Sequence, residues 1–107
     1  LMITVNYIDH TGVHYKVEAS EGETLMSTAT NNLVPGIDGD CGGSCACGTC
    51  HIIVDKIWAN RINDRNSEEI SLLQMTPDYE ENSRLACQII VTKDLNGIVV
   101  SIPEHQM

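Results

Sequence analysis

The residues best equipped for chemistry lie in one stretch, Cys41-Gly42-Gly43-Ser44-Cys45-Ala46-Cys47-Gly48-Thr49-Cys50, with a fifth cysteine, Cys87, far downstream. Thiolates gathered at this density either ligate a metal centre or pair as disulfides. An odd number of cysteines suits a disulfide framework poorly, and Cys45 and Cys47 flank a single alanine. In a reducing compartment clustered cysteines more often hold metal, so the stretch reads first as a metal site. The glycines at 42, 43 and 48 fit that reading. Without side chains, their N–H groups can point inward at sulfur and stabilise negative charge.

Such a loop must be held by a framework. Met2 to Tyr7 alternates, with Ile3, Val5 and Tyr7 on one face, and Val13, Tyr15 and Val17 continue the period beyond the turn residues Asp9 to Gly12. The pair predicts a β-hairpin. Ser20 and Glu23 have capping-box spacing ahead of Leu25, Met26 and Ala29, which predicts a helix that Asn31-Asn32 and Pro35-Gly36 stop. The polar, glycine-rich loop over 36–50 has too few apolar residues to pack unaided, and a metal would supply its anchor.

Cys50 to Val54 reads as a strand with Ile52 and Val54 opposed to His51 and Ile53; residues 55–65 show no regular pattern. A second helix is expected over about 66–75, opened by Asn66 with Glu68 and Glu69 in its first turn and Ile70, Leu72 and Leu73 inward. Arg84 to Val91 alternates with Leu85, Cys87, Ile89 and Val91 on one side, Asn96-Gly97 signals a turn, and a last strand runs to Pro103. The expected architecture is a small α+β domain, one unit over 1–107, with a mixed sheet crossed by one main helix.

Composition limits the function. The charge is −9, with six basic and fifteen acidic residues, which disfavours a nucleic-acid partner and favours a basic protein surface. No apolar run reaches the about 18 residues a membrane span needs. No signal-peptide pattern opens the chain, although Leu1 before Met2 reads as a trimmed start.

The spacing C-x5-C-x2-C-x36-C, with His51 directly after the third of these cysteines, resembles the 2Fe-2S ferredoxins of the adrenodoxin and putidaredoxin group. Plant-type ferredoxins have four residues in the first gap. The likeness spans nearly the whole chain. It includes Glu21 to Met26, Asn82 to Ile90, Leu95 to Val100 and Ile102-Pro103-Glu104. The resemblance implies a β-grasp (ubiquitin-like) fold and one 2Fe-2S cluster on Cys41, Cys47, Cys50 and Cys87. Gly42, Gly43, Ser44, Cys45, Ala46, Gly48, Thr49 and His51 would line the cluster. Structural zinc prefers two short C-x2-4-C pairs where one exists here, and a thioredoxin-like role for Cys47 to Cys50 would need a helix after them.

The family resemblance further implies an electron carrier, not an enzyme. A bacterial, cytoplasmic monomer is expected, passing single electrons from an FAD-containing, NAD(P)H-dependent reductase to a cytochrome P-450 monooxygenase. Delivery of electrons to iron–sulfur cluster assembly is the alternative, because a cysteine at the place of Cys45 recurs in assembly ferredoxins. A zinc-stabilised interaction module is a distant third. Partner contacts are expected at Asp38, Asp40, Glu68, Glu69 and Arg84. His10, His14 and His105 read as surface residues and Trp58 as packing.

Overall fold

A computed structural model describes residues 2–37 and 49–106. Among these residues five strands form one mixed sheet: β1 (Ile3–Ile8), β2 (His14–Ala19), β3 (His51–Val54), β4 (Ser83–Leu85) and β5 (Ile98–Ser101), in the order β2-β1-β5-β3-β4. Two α-helices join them, α1 (Leu25–Asn31) and α2 (Ser67–Gln74). The hairpin is as the alternation predicts, with Val5 opposite Val17 and Tyr7 opposite Tyr15. Ile3, Val5 and Tyr7 are buried, each contributing about 1.5–3 kcal/mol of apolar burial. Tyr7 also satisfies its hydroxyl inside the core, donating to the Leu25 carbonyl at 2.6 Å. This bond sets α1 against the sheet. The mixed sheet with one crossing helix is the β-grasp architecture expected.

Three local expectations differ from what the fold does. Helix α1 starts one turn later than Ser20 and Glu23 suggest. Its N-cap is Thr24, whose hydroxyl accepts from the Ser27 N–H at 3.0 Å while Ser27 returns the bond to the Thr24 backbone. The delay has a tertiary cause. Residues 20–23 form a turn with Gly22 at φ +94°, and bonds of Gly22 and Glu23 with Val91 and of Leu25 with the Ile89 carbonyl tie the chain to residues 89–91 before the helix begins.

The strand read over Arg84 to Val91 is broken. After Leu85 the backbone turns through a 3₁₀ helix, Ala86–Gln88, and residues 89–91 then pair with 22–25 instead of with β3. Leu85, Cys87, Ile89 and Val91 are nevertheless all buried, so the alternation reported burial correctly on a different backbone. Asn96-Gly97 does turn the chain, but between strands that are not neighbours in the sheet. Gly97 (φ +90°) donates to the Thr4 carbonyl, and the Asn96 side chain accepts from the Thr4 N–H, fixing β5 parallel to β1. The segment without a readable pattern contains a 3₁₀ helix, Lys56–Arg61, capped by Asp55.

Candidate metal centre

Cys50 and Cys87 come from different parts of the chain, and β3 and β4 bring their neighbourhoods together. His51 pairs with Leu85, and one step further the Ala86 N–H donates to the Cys50 carbonyl at 2.9 Å. Cys87 follows at once, in the 3₁₀ turn Ala86–Gln88. Both cysteines are buried, Cys50 at 1% and Cys87 at 6% exposure. The Gln88 side-chain amide donates toward Cys87 Sγ at 3.4 Å. Two buried sulfurs, one already offered an N–H donor, suit a negatively charged metal–sulfur centre better than solvent. Thr49, expected beside the centre, is also buried. The remaining expected residues, Asp38, Asp40, Cys41, Gly42, Gly43, Ser44, Cys45, Ala46, Cys47 and Gly48, lie outside the described residues.

His51, next to Cys50, is fully buried. Its Nε2 shares a 2.7 Å hydrogen bond with the Ser83 hydroxyl, a diagonal neighbour across the β3–β4 ladder. Desolvation by burial pushes its pKa down, against opposing pulls from the Asp78 charge and the Pro77 carbonyl. Nδ1 makes no hydrogen bond among the described residues, with the Pro77 carbonyl nearby. Burial thus favours the neutral ring, which its bond to Ser83 ties to β4.

Two residues of this surround escaped the sequence reading. Gln106 clamps the His51 backbone, its Oε1 accepting from the His51 N–H at 2.6 Å and its amide donating to the His51 carbonyl at 2.9 Å. Ser83 supplies the histidine's partner. A strand register would have found Ser83, but no local pattern points to Gln106, which lies 55 residues from its partner.

The expected docking residues divide. Glu68 is exposed in the first turn of α2. Glu69 and Arg84 are not available to a partner, contrary to expectation. Both are buried, Glu69 at 1% and Arg84 at 5% exposure, and they bond each other through two contacts of 2.7 and 3.1 Å. The reason lies in the helical period: with Leu73 at the centre of the buried face, position 69 lies one turn back on that same face, whereas Ile70, expected inward, is 36% exposed. A lone acid there would be costly, and Arg84 from β4 neutralises it. Asp78, Glu80 and Glu81 are exposed like Glu68.

Comparison with known proteins agrees with this geometry. The profile of the 2Fe-2S iron-sulfur cluster binding domain matches residues 8–92. The chain belongs to the 2Fe-2S ferredoxins. Putidaredoxin of Pseudomonas putida is 41% identical over 106 residues, covering 98% of this chain and 99% of that protein. A reduced putidaredoxin variant superposes with a TM-score of 0.95 at 39% identity, over 97% of this chain and 99% of that one. Putidaredoxin in covalent complex with putidaredoxin reductase gives 0.89 at 39% identity, over 92% and 96%. This ferredoxin therefore carries one 2Fe-2S cluster and is an electron carrier, not an enzyme in its own right. Among the described residues no helix is long and apolar enough to cross a membrane.

Proposed function

We propose that this ferredoxin passes single electrons from an FAD-containing, NAD(P)H-dependent reductase to a cytochrome P-450 monooxygenase in the bacterial cytoplasm, acting as a monomer. The observation that carries the reading is the full-length likeness to putidaredoxin, which is itself solved in complex with its reductase. The cluster supplies a one-electron couple, held by Cys41, Cys47, Cys50 and Cys87, and no side chain has to act as acid, base or nucleophile. The chain's own residues have three tasks. Burial of Cys50 and Cys87 limits water access, Gln88 donates to a ligand sulfur, and the exposed acids Glu68, Asp78, Glu80 and Glu81 draw a basic partner. Asp38 and Asp40, beside the first ligand in sequence, are the further expected partner contacts. The loop over 36–50 and the helix over about 66–75 are thus the two functional segments of one domain spanning 1–107.

Electron supply to iron–sulfur cluster assembly is the second reading, supported by Cys45. One reconstitution separates the two. The purified protein is combined with the reductase of the same cell and either a P-450 with its substrate or a cysteine-desulfurase and scaffold. Substrate hydroxylation dependent on this ferredoxin is the expected result, and turnover only in the assembly mixture would transfer the role. For the ligand set, Cys45→Ser is expected to keep the visible absorption of the cluster and Cys47→Ser to lose or alter it; the reverse outcome would remove Cys47 from the set.

A further inference from the structure

Strand β3 lies between β5 and β4, and its first residue, His51, follows the proposed ligand Cys50. The β3–β5 ladder pairs Ile53 with Ser101 and Val54 with Val100. Carried two residues further in the same register, it would set Pro103 opposite His51. Proline has no N–H to donate, so the backbone of β5 cannot complete that rung. Yet the His51 N–H and carbonyl point to the same side of β3 as those of Ile53, because strand geometry repeats every second residue. The β4 side is no substitute, since there the Ala86 N–H bonds the Cys50 carbonyl and not that of His51.

Gln106 completes the rung with its side chain. Its Oε1 accepts from the His51 N–H at 2.6 Å and its Nε2 donates to the His51 carbonyl at 2.9 Å, the two bonds a strand neighbour would make. A carboxamide carries the donor and acceptor of a peptide unit, so one side chain can replace a strand residue. The segment that presents it is fixed before and beside it. The Ile102 N–H donates to the Ile8 carbonyl at 2.8 Å, Ile102 and Pro103 are buried, and the His105 N–H donates to Asp78 Oδ2 at 3.2 Å. The Cys50–His51 peptide unit is therefore gripped at both ends, its carbonyl by the Ala86 N–H and its N–H by Gln106.

We propose that Gln106 is a positioning residue for the cluster, holding the Cys50–His51 peptide in place and keeping water from it. The proposal rests on the reading above in which Cys50 is a ligand of the 2Fe-2S cluster. Because a peptide unit is planar and stiff, gripping it at both ends fixes the backbone from which the Cys50 side chain leaves. It also occupies two backbone groups that water would otherwise bind beside a charged metal–sulfur centre. Water admitted there would stabilise the more negative, reduced state, and the reduction potential would rise.

The test compares the wild-type holoprotein with Gln106→Ala and Gln106→Met, the second keeping the length of the side chain without its bonds. The reduction potential is read by optical redox titration, and cluster retention by the decay of visible absorption in excess iron chelator. Both variants are expected to shift the potential upward and to lose the absorption about fivefold or more faster than wild type. An unchanged or lowered potential in Gln106→Ala would overturn the proposal even if the denaturant midpoint fell, because Gln106 would then serve stability alone. A wild-type potential and decay rate in Gln106→Met would also overturn it, since packing without hydrogen bonds would suffice. Cys50→Ser separates the underlying reading: an unaltered cluster spectrum in that variant would remove Cys50 from the ligand set, and the proposal with it.

Discussion

The carboxylate of Glu69 accepts three hydrogen bonds, from Arg84 Nε and Nη2 and from the Leu85 N–H. Arg84 spends a further donor on the Asn63 carbonyl at 2.6 Å. This pair ties α2 and the segment before it to β4, the strand that leads into Cys87. Removing one member leaves the other charged and buried. Glu69→Ala should therefore destabilise the holoprotein by about 3–5 kcal/mol in denaturant unfolding. Glu69→Leu combined with Arg84→Met should recover part of the loss. A single-variant cost below about 1 kcal/mol would mean the pair is solvated and does not link the elements. The same carboxylate cannot also meet a partner, which leaves Glu68 and its exposed neighbours as the proposed docking acids.

Among elements, α1 has the task of closing the sheet where Cys87 returns. Its first turn is joined to residues 89–91 by backbone bonds on both sides of the Thr24–Ile90 bridge. The Thr24 cap is correspondingly exposed to test. Thr24→Ala should cost about 1 kcal/mol, within the range of lost N-caps, read as a lower denaturant midpoint with an unchanged slope. A change in slope would show that α1 unfolds separately from the sheet. The hairpin, α1 and α2 are all visible in local pattern because their periods and caps are local. The register that puts Ser83 diagonal to His51, and the 3₁₀ turn at Ala86–Gln88, are not. Both result from competition between distant segments for the same backbone groups.

At the scale of the molecule, a net charge of −9 with Glu68, Asp78, Glu80 and Glu81 exposed on α2 and the loop after it predicts docking that weakens with salt. Glu68→Gln combined with Glu80→Gln should raise the apparent Km for the reductase at low ionic strength, with the difference from wild type fading as salt approaches 1 M. An equal Km at low salt would move the electrostatic contact to the Asp38 and Asp40 side of the loop. Cysteine number and spacing, read from the chain alone, pointed to a metal site, and the resemblance carried by that spacing implied a 2Fe-2S cluster and the family, because the spacing of cysteines along a short loop is a covalent property. Strand alternation likewise marked the buried residues of β1 and of the segment from Leu85 to Val91. Only the tertiary structure decided which acids remain for a partner, since burial of Glu69 depends on where Arg84 arrives from β4. It also decided that the end of α1 turns at Leu33 with its side chain in solvent, since Val34 and Ile37 take the places in the core.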